Sequence, residues 1–201
     1  RWTLIPGVRL DYVKVGPYFG RVAVDPRLTT KVDLIPKKLS LKAAVGLYQQ
    51  EPQLNEIIPE VWGNEDLDYQ RMIHASLGMS WRIRPSLSMS VTGFYKYGWN
   101  LVTWDEGLVD DSGEPTDGGY TNDGLGRVYG GELLIKKNAD SDCPGWLHAQ
   151  KCFGWISYTL MRSERRDHPG ESWRKFEFDQ THILTVVLSV LGAFLVVIAV
   201  V

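Results

Sequence analysis

Apolar and polar residues alternate with a period of two along most of this chain. In "LSLKAAVGLY", Leu39, Leu41, Ala43, Val45 and Leu47 fall on one face, and Ser40, Lys42, Ala44, Gly46 and Tyr48 on the other. Just before it, Val22, Val24, Leu28, Val32 and Leu34 oppose Asp25, Arg27, Thr29, Lys31 and Asp33. In "RMIHASLGMSWRI" the faces are Ile73, Ala75, Leu77, Met79, Trp81 and Ile83 against His74, Ser76, Gly78, Ser80 and Arg82. "SLSMSVTGFYKY" then sets Leu87, Met89 and Val91 against Ser86, Ser88, Ser90 and Thr92. Successive side chains of a strand point to opposite sides, whereas a helix loses this phase within a few residues. The pattern predicts about eight strands, at 3–14, 20–34, 38–49, 68–83, 86–104, 124–137, 152–164 and 179–190.

The connections alternate as well. "IPKK" (35–38) and "RPS" (84–86) read as tight turns. By contrast, 51–66, 105–123 and 165–177 are long, polar and rich in Pro, Gly and acids. The turn near Cys143 is the exception, being long where a short one is expected. Strands in soluble sheets run to about 5–6 residues, and these are far longer. Short turns at one end, long loops at the other and nearly charge-free apolar faces are the features of an all-β, antiparallel, up-and-down membrane barrel. A soluble sandwich also alternates, but strand length and loop asymmetry argue against it. No linker or internal repeat divides the chain.

Composition adjusts this picture at three points. A net charge of −2 over 201 residues gives no case for nucleic-acid binding. Eight Trp and nine Tyr suit a protein with membrane interfaces. The run from Ile183 to Val201 is uncharged and long enough to cross a bilayer as a helix. Its first part overlaps the last strand, so residues 186–201 are left open between strand and helix. Cys143 and Cys152 are close enough in sequence to close a small loop as a disulfide, with two free thiols as the alternative.

The stretch "YTNDGLGRVYGGELLIKK" (120–137) raises the question of phosphate binding. Its glycines are spaced wrongly for a dinucleotide fingerprint, no helix can follow, and no Gly-Lys-Ser/Thr occurs. Glycine within a strand marks a bulge, a bend or a close backbone approach. Gly130 shares a face with Glu132, and in a barrel that face points inward.

The same stretch resembles the N-x-G-x-G-x-x-x-G-x-E motif of TonB-dependent outer-membrane receptors, carried here by Asn122, Gly124, Gly126, Gly130 and Glu132. "GWISYTLMRSERRD" (154–167) resembles that family's outgoing strand, and "FEFDQTHILT" (176–185) its returning one. "DPRLTTKVDL" and "LKAAVGLYQQEPQ" look like its mid-barrel strands. The resemblance covers residues 4 to 190 or so. It implies residues 1–190 as part of a barrel of about 22 strands, with 191–201 a hydrophobic tail outside the family pattern. It implies import of a scarce ligand, of siderophore, vitamin or oligosaccharide class, across a bacterial outer membrane. The expected partners are outer-membrane lipid and, in the intact receptor, that small molecule. No plug domain, TonB box, further strands or terminal aromatic residue is recognised, so TonB contact is expected only through parts not recognised here. A segment of this kind is not expected to transport alone.

Two other readings stand beside it. One is a complete eight-stranded barrel with a structural or adhesive role, which requires the strands near 3–14 and 179–190 to pair. The other is a soluble β-domain tethered by a C-terminal helix.

Candidate chemistry is sparse. No nucleophile elbow or zincin helix occurs, Ser76, Ser80 and His74 read as lumen lining, and neither an enzyme nor a cofactor is expected. His168 with Asp167 and Glu171, or Asp179 with His182, is weighed as a metal site and set aside for rim roles. The acidic loop holding Asp105, Glu106, Asp110, Asp111, Glu114, Asp117 and Asp123 lacks calcium-loop spacing. Arg162, Arg165 and Arg166 are candidates to grip an anionic ligand, with local ion pairing as the competing role. Trp62, Trp104, Tyr120 and Trp173 are candidate stacking platforms, and interface anchoring competes for Trp104.

Overall fold

The computed structural model describes residues 1–58, 63–107, 118–138, 152–190 and 193–200. They form one antiparallel sheet built from β1 (Trp2–Val15), β2 (Phe19–Ile35), β3 (Leu39–Gln50), β4 (Gln70–Arg84), β5 (Leu87–Asp105), β6 (Gly119–Lys137), β7 (Cys152–Arg166), β8 (Arg174–Lys175), β9 (His182–Val190) and β10 (Ala193–Val200). Strands follow one another in chain order, save that β9 takes its place beside β7 and the short β8 pairs with the upper part of β7. The only described helix is α1 (Leu54–Ile57).

The registers carry the two faces across the whole sheet. One row runs Ala43, Leu77, Gly93, Gly131 and Leu160, with Leu41, Met79, Val91, Leu133 and Tyr158 one rung away. These outward rows form an apolar band, bounded at the long-loop side by Gln49, Arg71, Arg127, Arg162 and His182. Tyr95 stacks on Tyr129 at 6.5 Å and Tyr97 on Trp99 at 6.4 Å along that boundary, where amphipathic rings suit a membrane interface. The inward rows carry Ser40, Ser80 and Ser90, then Lys42, Gly78, Thr92, Glu132 and Thr159. Glu132 lies on this face and accepts a hydrogen bond from the Ser157 hydroxyl.

Loop asymmetry holds with two exceptions. The connections 51–69, 106–118 and 167–181 emerge at one end, and 36–38, 85–86 and 191–192 at the other. The turn 16–18 is short at the long-loop end, and 138–151 is long at the short-turn end. Lys37 adopts a left-handed φ of 59° in its turn, as does Gly16 at 51°. Above the short 16–18 turn, the 51–69 connection supplies the missing cover. Its Ile57 and Tyr69 pack with Phe19 and Ala23 into a buried cluster, flanked by Val13, Val15 and Tyr18. That cluster lies on the inward face, so this connection folds over the lumen side.

Three sequence expectations change. The last strand begins at His182 rather than near 179, because Asp179 closes a turn on Phe176 and accepts from the Ser163 amide. The tail is not helical: Ala193–Val200 pairs antiparallel with β9, Val197 opposite Val186. Among the described residues no helix is long and apolar enough to cross a membrane. Finally, β1 pairs with β2 and β9 lies between β7 and β10, with no ladder between β1 and β9 among the described residues. Among the described residues, the pairing needed by a closed eight-stranded barrel does not occur.

Candidate functional site at the long-loop rim

The glycine stretch of β6 explains how the rim is assembled. Opposite it, β5 breaks register between Gly98 and Leu101 and again before Thr103, with Asn100 at φ 54°. A Cβ at Gly124 would lie 2.7 Å from the Leu101 carbonyl oxygen, so only glycine fits against the bulge. Gly130 serves a different close approach: a Cβ there would collide with the Leu160 carbonyl of β7. Asn122 uses its whole amide. Its Nδ2 donates to the Asn100 and Asp68 carbonyls at 2.8 and 3.3 Å, and its Oδ1 accepts from the Asp68 amide at 2.7 Å. Asn64 adds a bond to the Tyr120 carbonyl at 2.9 Å. The motif thus ties the 51–69 connection to the β5 bulge.

Beneath this tie an open hollow of about 370 Å³ is lined by Tyr48, Gln50, Gln70, His74, Leu101 and Arg165, among others. A second hollow of about 230 Å³ continues down the inward face past Arg27, Tyr48, His74, Phe94 and Lys96. The Tyr48 ring sits 4.3 Å from His74, and the Arg27 guanidinium lies 5.5 Å from Tyr48. Arg27, His74 and Lys96 are the basic groups lining that lower hollow, and no carboxylate of the described residues lines it.

The "RSERRD" segment divides by strand parity. Arg162, Glu164 and Arg166 share the outward face, and Arg165 points inward. The buried Glu164 carboxylate takes Arg127 Nε at 2.6 Å and Arg162 Nε at 2.7 Å. Arg127 and Arg166 lie over the Trp173 ring at 4.4 and 5.0 Å. The structure therefore does not bring Arg162, Arg165 and Arg166 into one anion grip, and Trp173 is already covered by two guanidinium groups. Arg165 donates to the Val102 carbonyl at 2.6 Å and to Asp167 at 3.0 Å. Trp104 meets Tyr120 edge-on at 5.1 Å across the β5–β6 ladder. Trp62 lies outside the described residues, as does Cys143; Cys152 is buried at the start of β7.

Among the described residues, the groups of both metal pairings considered from sequence are engaged with other partners. Burial pushes the Asp167 carboxyl up, but Arg174 and Arg165 outweigh it and hold it below the ordinary carboxylate range. Glu171 Oε2 instead accepts the Asp167 and His168 amides at 3.1 and 3.3 Å. Asp179 is likewise pushed up by burial and pulled further down by the Thr181 hydroxyl, the Ser163 amide and Lys175. His182 Nδ1 shares a 2.7 Å hydrogen bond with the Tyr158 hydroxyl. A different set converges: ligand atoms of Asp105, Asp123 and His168 all lie within 4.8 Å of one another. Sequence reasoning grouped Asp105 and Asp123 in one acidic loop but His168 with Asp167 and Glu171, because no local spacing links the end of β7 to those of β5 and β6.

A family model described as TonB dependent receptor-like, beta-barrel matches residues 1–181. The chain belongs to that family. As a TonB-dependent receptor-like barrel it is an outer-membrane protein of Gram-negative bacteria, and its family is one of receptors rather than enzymes. No curated protein matches the chain. Among solved structures it is similar to the outer membrane transporter YddB from Escherichia coli, with a TM-score of 0.66 and 15% identity over 93% of this chain. The FrpB iron transporter from Neisseria meningitidis gives a TM-score of 0.64 and 12% identity over 94% of the chain. The siderophore receptor PirA from Pseudomonas aeruginosa gives 0.59 and 18% over 99%. The chain spans 28% of the length of each of the first two and 38% of the third. At these identities the likeness is one of fold.

Proposed function

We propose that this chain forms part of the wall of a TonB-dependent outer-membrane importer, with its ligand entering at the long-loop rim. The observation that carries the reading is the inward face. An apolar outer band backs a polar wall with two hollows, and a long connection packs on the same face. Arg27, His74 and Lys96 line the lower hollow without a carboxylate, and Arg165 reaches the upper one. That charge balance favours an anionic member of the siderophore, vitamin or oligosaccharide class. The FrpB and PirA names point to iron and to a siderophore for those proteins, which agrees with a chelate as the first ligand to test. The wall segment does not transport alone on this reading, because β1 and β10 each leave one edge unpaired among the described residues and lipid cannot satisfy exposed backbone groups. TonB contact is assigned to none of these residues.

The test is uptake by cells in which the coding sequence of this chain is disrupted. Ferric siderophores, cobalamin and oligosaccharides are supplied one at a time. Loss of one uptake activity that also collapses with the inner-membrane proton gradient supports the proposal. Unchanged uptake of every ligand overturns it.

A further inference from the structure

Asp105 ends β5, Asp123 lies in β6 and His168 follows β7, yet their ligand atoms gather within 4.8 Å. Each is anchored by contacts that leave the functional atoms mostly uncommitted. Asp105 lies opposite Gly119, and only its Oδ1 is used locally, accepting the Gly107 amide at 2.7 Å. Asp123 follows Asn122, whose amide is locked to Asn100 and Asp68. The His168 backbone is bound by Glu171, and the preceding carbonyl of Asp167 accepts from the Thr103 hydroxyl at 3.3 Å. No hydrogen bond to the His168 ring or to the Asp123 carboxylate occurs among the described residues.

The neighbouring acids make the contrast. Asp68, Glu164, Asp167 and Asp179 each have an arginine or lysine nitrogen within 3.1 Å. Asp105 and Asp123 have no such cation among the described residues, although they stand close enough to repel each other. A positive charge is what this arrangement lacks. We propose that Asp105, Asp123 and His168 bind a first-row divalent metal ion, of zinc type, at the extracellular rim. The imidazole decides the class: calcium and magnesium take oxygen ligands, whereas mixed nitrogen and oxygen donors suit zinc, iron, cobalt or nickel. Bonds of about 2.0–2.2 Å place two ligands of one ion roughly 3–4 Å apart, so small side-chain rotations close the set. Three protein ligands leave coordination positions open to water or to an incoming donor. The site does not depend on which ligand the receptor imports, and its failure leaves the import reading untouched.

The experiment titrates zinc(II) into the full metal-free chain in detergent, by calorimetry and by the visible spectrum of cobalt(II). One ion per chain is expected, with affinity falling at least tenfold in His168→Ala and in Asp123→Asn. His182→Ala, whose ring bonds Tyr158, should bind as the parent does, and calcium(II) should give no binding at equal concentration. The far-UV circular dichroism of each variant is compared with the parent, and Asp105→Asn provides an independent ligand loss. No zinc binding by the folded parent overturns the site. So does equal binding by the His168 and Asp123 variants, or calcium binding as tight as zinc.

Discussion

Strands β3 to β6 and the hairpin β9–β10 share one ladder but not one pattern of faces. In the first group, outward Leu41, Met79 and Val91 back onto inward Ser40, Ser80 and Ser90. In the hairpin, Val197 and Ile198 are chain neighbours and so face opposite ways, yet they are 45% and 66% exposed. Residues 190–201 contain no polar side chain at all. The hairpin nevertheless keeps an unbroken register from Ile183–Val200 to Val190–Ala193. Pairing needs only backbone donors and acceptors, which every strand possesses. Alternation reports what each face meets, and says less about whether a strand forms. The family match ends at residue 181, before this hairpin.

Arginine scanning tests the contrast most strongly. Leu77 lies outward at the centre of the apolar band, and Leu77→Arg should cost about 2–4 kcal/mol, read from urea unfolding in liposomes. Ser76→Arg, one residue away and inward, should cost far less. On β10 we expect Val197→Arg and Ile198→Arg to cost alike. A β4-like asymmetry there would show that the hairpin obeys the same wall rule despite its sequence.

The glycines provide the next test. Gly130→Ala forces a Cβ into the Leu160 carbonyl, whereas at Gly131 the nearest atom is the Thr92 carbonyl oxygen at 3.7 Å. The first should destabilise by about 1–3 kcal/mol and the second should stay near the parent in the same unfolding assay. Asn122→Ala removes two bonds to Asp68 of the 51–69 connection and one to Asn100 of the β5–β6 bulge. It should cost about 1 kcal/mol and speed limited proteolysis of that connection. Unchanged cleavage would mean the tie is not what holds it.

The smallest effect is acid sensitivity of the 167–181 connection. Asp167 and Asp179 are both held below their ordinary range, which is about 3.9 for aspartate. Their contribution is therefore fully present above that value and is lost as pH falls through the lower folded-state values. Unfolding midpoints should agree at pH 7 and pH 5 and drop below pH 4. Asp167→Asn should reduce that drop, by about 1 kcal/mol or less because its ion pairs are partly exposed.

Much of the wall was legible because its signals are local. A period of two needs only neighbouring residues, and it placed β1 to β7 within a few positions. The exceptions are instructive. β6 begins at Gly119, five residues before its glycines suggested, because its partner β5 continues to Asp105. Strand parity alone separates Arg165 from Arg162 and Arg166, yet reading them as one cationic run hid this. The tail read as an uncharged helix candidate because hydropathy without alternation does not distinguish a helix from a strand with two apolar faces.

By itself the sequence determined the strand walls, the face each residue takes, the end that carries the long loops and the family. Those properties follow from side-chain alternation and turn chemistry over a few residues. Only the tertiary structure decided that Asn122 clamps a distant loop, that Glu164 gathers two arginines from separate strands, and that Asp105, Asp123 and His168 meet. Such meetings depend on register and loop folding summed over as many as 63 residues of sequence, and no local pattern encodes that sum.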